Sequence, residues 1–210
     1  MKILHLTVGM VQTNCYILFD ENSREGAVID PGDNAPAILQ ALASETIQLR
    51  YVLLTHAHFD HILAVHDVVE KTGAALVCPK GDLWLLKPEN MGQFRHAARG
   101  YRQTPVDIAA EEGTEISFGG MTVRYLSTPG HTPGSSVIQV GDVLFTGDTL
   151  FRRECGRCDL EGGDFDQMLR SLKRLYELPG DYQVLPGHEG ASTLQQEREW
   201  NPYMRQAIRQ

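Results

Sequence analysis

The chain has 210 residues, 42% of them hydrophobic and 22% charged, proportions that exclude a disordered or low-complexity chain and point to one domain over residues 1–210 at roughly 150 residues per domain. Lys and Arg number 19 against 27 Asp and Glu, a formal net charge of −8, the wrong sign for a module held to nucleic acid through phosphates. No apolar run approaches the roughly 18 residues of a membrane span, and the start, Met1-Lys2-Ile3-Leu4-His5-Leu6, has no signal-peptide pattern, so a cytoplasmic location is expected, where the four cysteines stay as thiols.

The first thirty residues read as strands: Ile3, Leu4, Leu6 and Val8, then Cys15 to Phe19, then Ala27 to Ile29. Asp30-Pro31-Gly32-Asp33-Asn34 is turn chemistry. A helix follows over 34–44, with Ile38, Leu39 and Leu42 on one face. Tyr51-Val52-Leu53-Leu54-Thr55 is a continuous apolar strand, the pattern of burial on both faces, and it runs into a histidine-rich loop. The spacing of Ile62, Val65, Val68 and Val69 predicts a helix over 62–72 with Gly73 as its stop, and a strand follows at 74–78. The stretch 81–110 has the least pattern and is a candidate substrate lid. It holds Arg95, Arg99 and Arg102 at i, i+4, i+7, one face of a helix, beside Tyr101; these four are candidate substrate-binding residues, the arginines for a carboxylate or phosphate. Strands are expected at 114–118, 121–127, 135–140 and 142–146, joined by Gly119-Gly120 and Gly141-Asp142. A helix over 165–177 turns Met168, Leu169, Leu172 and Leu175 inward, a strand covers 182–185, and a helix from 192 closes the chain. Two halves of this kind suit an α+β fold, a four-layer αββα sandwich.

Thr55-His56-Ala57-His58-Phe59-Asp60-His61 carries the strongest chemical signal. Three of the chain's eight histidines and a carboxylate fall within six residues, a nitrogen and oxygen donor set that suits zinc. The alternation lets His56 and His58 point one way while Asp60 and His61 reach a second point. A loop at the carboxyl end of a buried strand is also where α/β folds place ligands. Downstream, Pro129-Gly130-His131-Thr132-Pro133-Gly134, Gly147-Asp148-Thr149 and Pro186-Gly187-His188 each put a donor at a strand end, beside a glycine that permits a sharp turn.

These motifs, in this order and approximate spacing, resemble the metallo-β-lactamase-fold hydrolases, and within them the small type II glyoxalase-like (hydroxyacylglutathione hydrolase-like) thioesterases. The likeness runs from Asn14-Cys15-Tyr16 and Asp30-Pro31-Gly32 through Gly156-Arg157-Cys158-Asp159 to His188. It implies that His56, His58 and His131 bind one metal, that Asp60, His61 and His188 bind a second, and that Asp148 bridges them. The implied cofactors are two divalent ions, zinc first, with iron or manganese as alternatives. The implied activity is a metal-bridging hydroxide attacking a thioester or ester carbonyl, with Asp60 as the catalytic group that orients the water or takes its proton. The expected partner is a small-molecule substrate, without nucleic acid or membrane, for a monomer or small homo-oligomer. Type II glyoxalases carry a C-terminal helical region for glutathione that the 22 residues after His188 are not expected to supply, so the leaving group stays open. The alternative activity is a mononuclear iron persulfide dioxygenase of the same fold. An antibiotic-hydrolysing enzyme is disfavoured because Asp148 stands where those usually carry cysteine. Cys155-Gly156-Arg157-Cys158 reads as a loop rather than a redox pair, since no second Cys-x-x-Cys completes a metal clip.

Overall fold

A computed structural model describes residues 1–209. Strands β1 (Lys2–Val8), β2 (Thr13–Phe19) and β3 (Glu25–Ile29) form an antiparallel meander. Every residue of β2 is buried. Side chains alternate across a strand, so Cys15, Ile17 and Phe19 enter one apolar cluster while Tyr16 and Leu18 enter another. Next come α1 (Ala35–Ser44), capped by the Asn34 side chain, β4 (Gln48–Leu53), α2 (Phe59–Ile62), α3 (Val65–Thr72), β5 (Ala75–Pro79) and β6 (Ile108–Ala110). β4, β5 and β6 extend the sheet in parallel from β3, giving the order β1-β2-β3-β4-β5-β6.

The second half contributes β7 (Glu115–Phe118), β8 (Met121–Ser127), β9 (Ser136–Val140), β10 (Val143–Gly147), the small pair β11 (Leu150–Phe151) and β12 (Glu154–Cys155), then α4 (Phe165–Tyr176), β13 (Gln183–Pro186), β14 (Ser192–Thr193), α5 (Leu194–Trp200) and α6 (Pro202–Ala207). Its sheet runs β14-β13-β10-β9-β8-β7. The two sheets face each other across Leu18, Ile29, Leu53 and Val77 from one side and Val123, Tyr125, Ile138 and Phe145 from the other. Ile38, Leu42 and Val68 cover the outer face of the first sheet, and Met168, Leu172, Leu194 and Met204 that of the second. The architecture is the expected αββα sandwich. No described helix is long and apolar enough to cross a membrane.

Three local expectations need correction. The helix expected over 62–72 breaks between α2 and α3, because the Ala64 amide donates to the Pro31 carbonyl at 3.0 Å, outside the helical ladder. Serine 192 opens a short strand, and the helix starts after Thr193, whose side chain and Gln196 form a capping box. No helix spans 95–102. The segment forms short 3-10 turns over Lys80–Asp82 and Pro88–Phe94 and then further turns. Gly92 takes φ 50 and ψ −128 inside the second, which breaks the run. Arg95, Arg99 and Arg102 therefore share no helical face.

Candidate metal centre

Each donor-bearing loop follows the carboxyl end of a strand: residues 56–61 after β4, His131 after β8, Asp148 directly after β10 and His188 after β13. Close approach makes the convergence possible. Gly147 sits at φ 48 with its α-carbon against the Thr55 side chain, and a β-carbon on Gly187 would strike the Asp148 carboxylate. Only glycine fits at these two positions.

His56, His58 and His131 bring one nitrogen each within 4.8 Å of one another, and Asp60, His61 and His188 form a second such group. His58 Nδ1 lies 2.7 Å from His131 Nε2, and His188 Nε2 lies 3.2 Å from Asp60 Oδ2. Asp148 stands between the groups: Oδ1 is 3.4 Å from His61 Nε2, and Oδ2 is 3.5 Å from His131 Nε2 and 3.6 Å from His188 Nε2. Asp30, His56 and His61 also bring one atom each within 4.8 Å of one another. However, Asp30 is already spent: Oδ1 accepts from the Thr55 amide at 2.8 Å, and Oδ2 from Thr55 Oγ1 at 2.6 Å and from His61 Nδ1 at 3.0 Å. It backs the donors rather than joining them.

These bonds fix which ring nitrogen faces inward. Thr55 Oγ1 gives its proton to Asp30 and so accepts from His56 Nδ1 at 3.1 Å. His61 Nδ1 donates to Asp30, and His131 Nδ1 donates to the Arg157 carbonyl at 2.7 Å. All three rings turn Nε2 toward the centre. His56 Nε2, His61 Nε2 and Asp148 Oδ1 are buried without a hydrogen-bond partner among the described residues, an expensive arrangement in a folded interior. Orphaned nitrogen and carboxylate donors aimed at common points fit divalent cations of the zinc, iron or manganese type.

The electrostatics differ between the two groups. Burial and the neighbouring imidazoles hold His56 well below its ordinary pKa, and burial together with His131 pushes His58 down to about 3. At His61 burial also opposes the charge, but Asp60, Asp148 and Asp30 outweigh it and hold the ring well above its ordinary value. Burial likewise opposes ionisation of Asp60, and the charge of His61 with the bond and charge of His188 overcomes it, so the carboxylate stays ionised. Thr13 Oγ1 donates to Asp60 Oδ2 at 3.0 Å.

Asp82 was not legible as a site residue in the sequence, where it falls in the stretch 81–110 read as a candidate lid. It is fully buried and accepts from the Ala57 amide at 3.0 Å, Thr132 Oγ1 at 2.7 Å and the Gly134 amide at 2.7 Å. Asn14 and Tyr16 hold the His188 loop in turn. Asn14 Nδ2 donates to the Pro186 and Glu189 carbonyls at 3.0 and 2.9 Å, and Tyr16 Oη to the Pro186 carbonyl at 2.8 Å.

A cavity of about 320 Å³ opens beside His58, walled by Leu85, Met91, Phe94 and Leu160, with Asp159 and Glu161 among its lining residues. The four expected substrate-binding residues lie elsewhere. Arg95 and Tyr101 line an adjoining depression with Glu89 and Ala98, divided from the cavity by Met91, which lines both; the Tyr101 hydroxyl donates to the Leu86 carbonyl, Arg102 pairs with Asp67, and Arg99 is exposed. Cys155 is buried and Cys158 half-buried, both as free thiols, and burial pushes them up to about 12 and about 11.

Residues 8–188 match the family model of the metallo-beta-lactamase superfamily. The chain is 33% identical over 208 residues to the probable metallo-hydrolase YqgX of Bacillus subtilis, covering 97% of this chain and 98% of that one. It is 28% identical over 216 residues to the hydroxyacylglutathione hydrolase GloC of Haemophilus influenzae, with the same coverage. Among solved structures it is similar to the B3 metallo-beta-lactamase BLEG-1 (TM-score 0.89, 34% identity, 97% and 99% of the two chains). It is also similar to TTHA1623 in a di-iron-bound form (0.83, 34%, 95% and 99%) and to ETHE1 from Myxococcus xanthus (0.80, 30%, 96% and 84%).

Proposed function

The chain belongs to the metallo-beta-lactamase superfamily, and from that membership and its paired donor groups we propose a hydrolase that loads two divalent cations and cleaves a thioester or ester, as the glyoxalase II-like thioesterases do. The position of Asp148 carries this reading: one carboxylate lies within 3.6 Å of donors from both groups. That arrangement suits a bridge between two ions and would be wasted on one.

Bound cations would supply hydroxide at neutral pH and polarise the substrate carbonyl. His56, His58 and His131 would hold one, Asp60, His61 and His188 the other, with Asp148 between. Zinc fits the nitrogen-rich set first; iron or manganese is the alternative, and the likeness to a di-iron form of TTHA1623 keeps iron in view. Asp60 stays ionised and accepts a hydrogen bond from Thr13, so it can orient the attacking water or take its proton. In the net reaction the oxygen of water joins the acyl carbon, the carbon–sulfur bond breaks, and the thiol leaves with a proton. No serine or cysteine nucleophile is required.

The ETHE1 likeness favours a second reading, an iron persulfide dioxygenase. Metal quantification with paired assays separates the two. Two ions per chain with acyl hydrolysis support the hydrolase; one iron per chain with oxygen uptake and no hydrolysis overturns it. A β-lactam belongs in the substrate panel because of the likeness to BLEG-1.

A further inference from the structure

The cavity beside His58 is the space into which an elongated substrate would extend from the metal centre. Leu85 and Met91 are buried, and Phe94 stacks on Phe59 with ring centroids 4.9 Å apart and lies 6.4 Å from the His58 ring. The charged lining is acidic: Asp159 and Glu161 face the cavity beside the neutral amide of Asn90, and no lysine or arginine is among the described lining residues. Arg157 grips Asp159 with Nε and Nη2, both at 2.7 Å, so its guanidinium is already committed. Glu161 has no ion-pair partner among the described residues. A carboxylate or phosphate placed here would lose water, meet apolar walls and find like charge instead of a cation. A hydrocarbon arm would gain from the same walls, and a cationic arm would gain from Glu161 as well.

We infer that this cavity receives an apolar, uncharged or cationic arm of the substrate and turns away an anionic one, so neutral and cationic thioesters outrank glutathione thioesters. The inference rests on the hydrolase reading and names the substrate class for it.

The test uses the metal-loaded protein and three thioesters sharing a butyryl group, on N-acetylcysteamine (neutral), thiocholine (cationic) and glutathione (net anionic). Thiol release is expected to give kcat/KM at least roughly tenfold higher for the first two, the scale of one unfavourable charge contact. Glu161→Lys, at an exposed position, should raise the glutathione ester and lower the thiocholine ester. Glutathione ester turned over as fast as the neutral one, or a ranking unchanged by Glu161→Lys, would overturn the inference and leave the hydrolase reading standing. No hydrolysis of any thioester or oxyester by protein carrying two ions per chain would overturn both.

Discussion

Asp82 Oδ2 accepts a hydrogen bond from Thr132 Oγ1 at 2.7 Å, and through that contact two donor-bearing loops share one anchor. The same oxygen takes the Ala57 amide, between His56 and His58, and the other oxygen takes the Gly134 amide, three residues past His131. Asp82→Ala strands two buried amides, so it should cost about 3 kcal/mol or more. A selective effect is also expected. Metal titration should show weaker loading of the His56-His58-His131 group than of its neighbour. Equal weakening of both groups would make Asp82 a general support of the fold. Thr132→Val removes one of the three bonds and should give the same selectivity on a smaller scale.

Asp30 performs the matching task behind the other histidines. It holds the Thr55 side chain that orients His56, and it bonds His61 directly. Asp30→Asn puts an amide where two protons converge and frees the rings to choose the wrong tautomer. Loss of such a partner typically costs 10- to 100-fold in metal affinity. Competition with a chromophoric chelator measures it; unchanged affinity would show that the rings hold their orientation without Asp30.

Asp148→Ala and His188→Ala should separate a shared donor from an unshared one. The first removes an oxygen from both groups and should empty the centre, dropping activity by at least about a hundredfold. The second touches one group, so about one ion per chain should remain. Far-UV circular dichroism should stay near that of the parent in each case. If both variants kept two ions, the bridging assignment would fail.

The paired thiols give a prediction in pH. Burial raises Cys158 to about 11 and Cys155 to about 12. A raised folded value favours the folded state below the unfolded thiol's pKa of about 8.5, and that contribution is lost as pH climbs through the folded value. Stability should therefore decline between about pH 8.5 and 12, and alkylation of the native protein should follow a midpoint near 11. A midpoint below 8 would revive a redox role for the pair.

The donor set was legible in the sequence because four of its members fall within His56–His61 and the other three sit beside glycines at strand ends. The sandwich was legible for a related reason, since the inner strands are long apolar runs. Asp82 was hidden because burial of a turn carboxylate depends on which loops pack over it, and nothing local records that. The arginines misled because their i, i+4, i+7 spacing fits a helix that Gly92 at φ 50 and Gly100 at φ 94 interrupt. Strands β6, β11, β12 and β14 span only two or three residues each, too short to show a period of two.

Asn14 and Tyr16 belong to the first sheet, yet they grasp the carbonyls of the loop that carries His188 in the second. With the apolar core between the sheets, this latch closes the seam between the halves. Ions held at the same edge would act as rivets added to a joint that is already shut. A chelator should thus strip the protein without prying the halves apart, and the emptied form should take its ions back at once on mixing, with no refolding step.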